Sequence, residues 1–481
     1  MTTGSDEVSP VLDRLWRQAG GDPPLPARVE FTRPGQFLPS VFRVDRLAGA
    51  VVGAATLAAA ALGEERGRPF DRVEVDVRHA QVAFRSERYL RVDGGPPPAG
   101  WAPLSGYYRT GDDRWVQLHC NFVHHRDGAA AVLGVDPERE QFASAVLRWE
   151  GAALEEAMAE AGMCASLLRS PEEWSAHPQA AAVAGLPAVE VVRVGDSPPE
   201  PLGPADRPAS GVRVLDLSRV LAGPVCGRTL AAHGADVMRV GAPELPTVPL
   251  TVIDTGPGKF SAHVDLNAPG GREQLLDLVG RADVVVDGFR PGALEGRGLG
   301  IADLGKRRPG LIHASLSAYS HLGPWASRRG YDSLVQTATG IVHAGTVAAP
   351  GGADEAGPPI PVPLPAQALD HGAGYLLSLG VLVALVRRSR EGGSWMVRTS
   401  LLQVRNLLDG LGRDGSPEVR DPDSADVADL LMPLGGDFGA LTVVRPPGSI
   451  DGTAPRWDRP PVIPGSDPPV FPERAGRDPS G

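Results

Sequence analysis

The chain has 481 residues, 42% of them hydrophobic and 22% charged, which excludes both a single small domain and a disordered polymer and predicts two or three domains. A formal charge of -11 excludes the broad Lys/Arg field that nucleic acid or an anionic membrane requires, yet it leaves room for a small polyanion. Only three separated cysteines occur, Cys120, Cys164 and Cys226, and no basic segment precedes an apolar run at the N-terminus, so no disulfide framework, thiolate zinc site or secretory signal is expected and a cytoplasmic setting is.

In chain order, residues 45–49 read Asp-Arg-Leu-Ala-Gly and open an Ala-rich apolar run over 47–63. A charged, Gly-containing turn at 63–72 and a strand at 73–77 follow. The same series recurs far downstream: Asp-His-Gly-Ala-Gly at 370–374, an apolar run over 372–386, a turn at 387–393 and a strand at 394–399. Each run is shorter than the roughly 20 residues that a bilayer span needs, so both are expected to be helices buried inside protein.

Between the copies, residues 106–118 alternate like two strands joined by a turn on Gly111, Asp112 and Asp113. Histidines His119, His124 and His125, with Cys120, follow in a spacing that matches no common zinc pattern, and they are read as structural; no metal site is expected. Charged helices are expected over 136–184 and a Pro-rich linker over 197–208.

From Gly211 the pattern becomes alternating strand and helix: a strand at 212–217, a helix at 224–232 closed by Gly234, a strand at 235–240, and further strands at 263–266, 283–286 and 311–315. Such alternation predicts an α/β fold with a parallel sheet covered by helices. Cations that could meet a polyanion gather in this half, as Arg239, Lys259, Arg290, Arg297 and the run Lys306, Arg307 and Arg308. Residues after about 413, rich in Pro, Gly and Asp, are expected to form an extended, partly disordered tail.

The first strand-to-helix loop, Ser218-Arg219-Val220-Leu221-Ala222-Gly223-Pro224, lacks the glycine spacing of a dinucleotide site, and no Walker loop occurs. Residues 211–235, GVRVLDLSRVLAGPVCGRTLAAHGA, resemble the opening of the family III CoA-transferases (CaiB/BaiF) and their acyl-CoA racemase relatives. Gly258-Lys259 with Asp265-Leu266, Ala282-Asp283-Val284 with Phe289-Arg290-Pro291-Gly292, and Gly330-Tyr331-Asp332 follow in that family's order.

The resemblance implies a Rossmann-like sheet with helices on both faces, a smaller α+β domain and a dimer of interlocked chains. It implies a catalytic aspartate at Asp370, and CoA bound near Val220, Leu221, Ala222, Arg239, Lys259, Phe289, Arg290, Arg297, Tyr331 and Asp332. Coenzyme A and a small carboxylic acid would enter as substrates, with no resident cofactor. An aspartate at a helix N-terminus is expected to stay ionised and aimed by free N–H groups. Gly372 and Gly374 would admit the substrate and help form an oxyanion hole.

Residues 45–195 resemble the later part of a family member and 211–400 the earlier part, so the chain is read as a fused tandem of two incomplete units. Its halves would pack as an intramolecular pseudo-dimer, a homodimer being the other arrangement. The expected segments are 1–85 (first aspartate helix and strand), 86–205 (small α+β domain and linker), 206–412 (Rossmann-like domain with the catalytic helix) and 413–481 (tail). Asp45 is read chiefly as a structural duplicate of Asp370.

Departures from the family pattern at Gly241, Phe260 and Asp287-Gly288 touch details of CoA contact. Racemase relatives carry His-Asp where this chain has Tyr331-Asp332, and His371, beside Asp370, points in a divergent direction, so transfer is preferred over racemisation. A CoA-binding protein without turnover is the rival from another class.

Overall fold

The computed structural model describes residues 5–349 and 359–473. Short runs of Val, Leu and Ile between turns become strands buried on both faces, as a parallel sheet between helix layers requires. Seven strands form the main sheet: β1 (Glu190–Gly195), β2 (Arg213–Asp216), β3 (Asp236–Gly241), β4 (Lys259–His263), β5 (Val284–Asp287), β6 (Ile312–Ser317) and β7 (Ser394–Ser400). Their order is β4-β3-β2-β5-β6-β7-β1, parallel except where β1 meets β7. The chain leaves β2 in one direction and returns to β5 on its other side, which opens a crevice between their C-terminal ends.

Five helices position the site: α1 (Val44–Glu65), α2 (Ala222–Ala232), α3 (Asp332–Ala338), α4 (Ala368–Glu391) and α5 (Leu401–Asp409). The helices α1 and α4 lie against each other, and α2 lies against α4. At 22 and 24 residues, α1 and α4 are longer than the apolar runs that nucleate them and long enough by composition to cross a bilayer. In each, 94% of the apolar window is buried within the protein.

Two glycines of α4 set its packing. A Cβ on Gly374 would come within 2.6 Å of the Ala222 carbonyl oxygen, and one on Gly372 within 2.7 Å of Val404 Cγ1. They let α2 and α5 approach the helix closely, rather than opening it to a substrate.

One hydrophobic core runs from Val8 through α1, α2, α4 and β7 to Leu411, so residues between 8 and 84 share a core with residues of the 206–412 segment. A separate small core, built on Tyr108, Phe142 and Leu154, lies under the antiparallel strands Gly106–Arg109, Trp115–Leu118 and Ala165–Leu167. The hairpin over 106–118 is as expected; the third strand interrupts a stretch expected to be helical. The strand expected at 263–266 is instead β4, starting at Lys259. That lysine is a buried charge, and it hid the strand from an apolar-run reading.

The expectation of an extended, partly disordered tail from 413 is corrected for the described residues. Strands Leu431–Gly436 and Gly439–Val444 form a hairpin that pairs with Arg91–Val92, and Ser449–Ile450 pairs with Val73–Asp76. Leu441 and Val443 pack with Leu90, Leu250 and Ile253, and Phe471 is buried against the main sheet's other face. Buried apolar residues spaced among Pro and Gly anchor this segment, and composition averages conceal them.

Candidate active site

Loops 217–222 after β2 and 288–293 after β5 flank the crevice at the sheet's switch point, with Leu316, Ser317 and Ala318 from β6 and its exit. The space is a cleft of about 330 Å³. A second cavity of about 430 Å³ adjoins it, walled by 97–101 from the N-terminal half and by Val248, Leu250 and Thr251. Val220, Leu221, Tyr331 and Asp370 line both spaces. Val220 has φ of 71°, a left-handed conformation costly to a β-branched side chain, and such strain is characteristic of backbone fixed for a site.

Asp370 sits in the first turn of α4, 8% exposed, and its carboxylate makes no ion pair or hydrogen bond with the described residues. The N–H groups that start the helix are taken by another carboxylate: Asp332 Oδ2 accepts from Leu369 N at 2.8 Å and Asp370 N at 2.9 Å. Gln336 Nε2 holds the other oxygen of Asp332.

Burial first, then the nearby charges of Asp332 and Glu87, push the Asp370 carboxyl well above the usual carboxylate range. The expectation that helix N–H groups keep it ionised is therefore corrected, because Asp332 occupies those groups. Burial also pushes Asp332 up to about 6, against the hydrogen bonds it accepts. On the second cavity, burial pushes the Tyr331 phenol up, so Tyr331 stays protonated.

The 330 Å³ cleft carries four arginines, Arg219, Arg290, Arg328 and Arg329. Arg328 donates to the Glu155 carbonyl at 3.1 Å and Glu156 at 3.3 Å, and Arg219 donates to the Pro246 carbonyl while lying 5.1 Å from the Phe122 ring centre. Arg290 and Arg329 make no hydrogen bond or ion pair among the described residues, so their charges are available to an anion in the cleft.

Comparisons with known proteins add to this geometry. Residues 209–408 match the model of CoA-transferase family III. Over that stretch the chain is similar to CoA-transferase family III. A probable fatty acyl-CoA transferase of Mycobacterium tuberculosis is 35% identical over 44% of this chain and 57% of its own length. An acyl-CoA transferase of Fusarium pseudograminearum is 33% identical over 42% of this chain and 47% of its own. A crystal structure of a hypothetical protein from Mycobacterium tuberculosis, 34% identical, covers 45% of this chain and 58% of that one with a TM-score of 0.38. The chain spans about half the length of the curated relatives it matches.

Within the matched segment, the structure brings Val220, Leu221, Ala222, Phe289, Arg290, Tyr331 and Asp370 to one cleft. Four other expected CoA contacts lie elsewhere. Lys259 is buried beneath α2, donating to Asp216 Oδ2 and to the Pro224 carbonyl, each at 2.8 Å, and so ties the start of α2 to β2. Arg239 lies in register beside Asp216 and lines neither cavity. Arg297 donates to Asn267 on an exposed turn. Asp332 caps α4 instead of facing CoA, though it reaches the wall of the second cavity.

The run 306–308 is likewise engaged by acids, Lys306 with Asp303, Arg307 with Asp277 and Arg308 with Glu200. The space a side chain would take at Gly372 and Gly374 is filled by α5 and α2, so neither glycine opens room for a substrate there. Asp45 is 2% exposed, holds Arg43 through both oxygens at 2.9 and 2.7 Å, and lines neither cavity. His371 is fully buried, 3.3 Å from Glu87 and stacked on Phe84; it packs the interior and does not reach the surface.

Arg219 and Arg329 were within reach of sequence reading, since each adjoins a family segment: one lies inside the loop 218–224, the other directly before Gly330-Tyr331-Asp332. Phe122 and His119 were not. They arrive from the small α+β region, and no local pattern announces which strand end will meet the crevice.

Proposed function

We propose that this chain transfers coenzyme A between an acyl-CoA thioester and a carboxylic acid, with Asp370 carrying the acyl group. The carrying observation is that Asp370 stands at the common wall of two cavities, one lined by four arginines of which Arg290 and Arg329 have no partner among the described residues, and the other largely apolar. The first suits the phosphates of CoA and the second the acyl group. A carboxylate between them is where a thioester carbon would lie.

The chemistry follows from that placement. An Asp370 oxygen attacks the thioester carbon, the C–S bond breaks, and CoA leaves as thiolate, giving a mixed anhydride. The thiolate attacks the aspartyl carbonyl and expels the first acid, giving an aspartyl-CoA thioester. An acceptor carboxylate then attacks that thioester, and the released thiolate takes the new acyl group, freeing Asp370. The raised pKa of Asp370 sets the condition: the nucleophile must be ionised, so reaction rises with pH through that elevated value.

Transfer is favoured over racemisation by Tyr331, whose phenol, held protonated by burial, replaces the second base a proton exchange needs. The contact of α1 with α4 and their common core support reading the two halves as partners of one interlocked unit.

Incubation with acetyl-CoA, succinyl-CoA or octanoyl-CoA and a panel of free acids, followed by chromatography of the CoA esters, tests the reading. It predicts a new acyl-CoA for at least one pair. Tight CoA binding with no exchange across the panel would replace it with a CoA-binding protein that has no turnover.

A further inference from the structure

The second cavity contains a polar group that neither the family's motifs nor the mechanism above uses. His119 follows directly on the strand Trp115–Leu118, and its backbone N–H donates to the Cys164 carbonyl, which fixes the strand end. Its ring lies face to face on Tyr331, with centres 3.9 Å apart and planes 7° apart, and the edge of Trp101 approaches at 5.8 Å. The residue is 6% exposed and lines the cavity together with Asp370 and Tyr331.

The ring makes no hydrogen bond among the described residues, and Nδ1 is sealed from the cavity. Ser333 Oγ on this wall is likewise buried without a partner among the described residues, but three other polar groups there are committed. Glu87 holds His371, Asn121 ties down the 100–105 loop, and Asp332 caps α4. A buried imidazole without a partner carries an unmet hydrogen-bonding demand, and such groups mark places where a ligand completes the set. With Nδ1 sealed, Nε2 is the nitrogen left to meet an occupant, and the tautomer with its proton there presents a donor to the cavity.

We propose that His119, through Nε2–H, donates a hydrogen bond to the acyl oxygen of the substrate in the second cavity, so that the small α+β region supplies the group that orients the acyl carbon toward Asp370. Burial lowers the imidazole to about 4, which keeps it neutral, so it acts as a hydrogen-bond donor and not as an ion-pair partner. A neutral donor suits a thioester or anhydride carbonyl, where negative charge grows only as the nucleophile attacks. The stack on Tyr331 fixes the plane of the ring, because tilting it would break the face-to-face contact.

This inference rests on the transferase reading. It is tested by the rate at which acetyl-CoA, succinyl-CoA or octanoyl-CoA labels Asp370 in wild type, His119→Phe and His119→Gln, with CoA affinity and melting temperature measured alongside. Phe preserves the stacked volume without the donor; Gln restores a donor. The expected result is labelling slowed by about 10–100-fold in His119→Phe, partial recovery in His119→Gln, and CoA affinity unchanged in both. Equal labelling in wild type and His119→Phe overturns the inference and leaves the transferase reading standing. So does a loss of CoA affinity that accounts for the slower rate, or a Gln variant no faster than Phe. Absence of labelling in the wild type overturns the transferase reading, and this inference with it.

Discussion

Asp45 and Asp370 open two long, buried, neighbouring helices with the same Asp-x-x-Ala-Gly start, yet their surroundings differ in every respect that matters to chemistry. Asp45 is neutralised by Arg43 through two hydrogen bonds, and Arg43 and Arg46 both reach Asp414 at 3.2 Å. Asp370 makes no ion pair among the described residues, and it has two carboxylates near it and a cavity on either side. The local sequence that builds a helix start is the same; what converts one copy into a candidate nucleophile is supplied by segments far away in the chain. Asp332 takes the helix N–H groups, and Glu87 arrives from the other half.

That contrast is broken most forcefully by removing each aspartate. Asp370→Ala is expected to lower CoA exchange by about 10³-fold or more, because no second carboxylate on the cavity wall is placed as a nucleophile. Chromatography of the CoA esters checks it. Asp45→Ala is expected to leave exchange intact at 25 °C and to destabilise the fold by about 3 kcal/mol, the cost of stripping one partner from a buried ion pair. Denaturant unfolding measures that cost.

The cationic cleft sharpens the comparison, since Asp370 lines it and Asp45 does not. Arg290→Ala and Arg329→Ala are each expected to weaken CoA binding about 10-fold, the loss of one charge-assisted hydrogen bond, with little effect on melting. Calorimetric titration with CoA reads this directly. Asp332→Asn addresses the acidity of Asp370. An amide oxygen still caps α4, but the like charge is gone, so the elevated value of Asp370 falls and exchange sets in at lower pH than in wild type. A pH profile unchanged by Asp332→Asn would mean that burial and Glu87 set the acidity without Asp332.

The sheet from residue 211 onward was legible because its strands are short apolar runs punctuated by Gly and Asp. The repeated aspartate helix was legible because the same five-residue start occurs twice. Lys259 was legible as a cation, but its destination was not: a lysine that bridges Asp216 under a helix reads the same in one dimension as one that grips a phosphate. Gly372 and Gly374 likewise look like space for a substrate until the neighbouring α2 and α5 are seen to fill it. The C-terminal hairpin escaped notice because its apolar residues are few, and the partners that give them meaning, Leu90 and Leu250, lie hundreds of residues earlier. His119 and Phe122 show the same limit within the site, since tertiary contacts made across the two halves leave no local pattern.

The central claim is that acyl transfer passes through the helix start at 370 and not through its twin at 45. Peptide mapping by mass spectrometry after incubation with an acyl-CoA and quenching with hydroxylamine reports both positions in one sample. The account predicts a hydroxamate on the peptide containing Asp370 and an unmodified peptide containing Asp45. A hydroxamate at Asp45, or sustained exchange with Asp370 never modified, would contradict it.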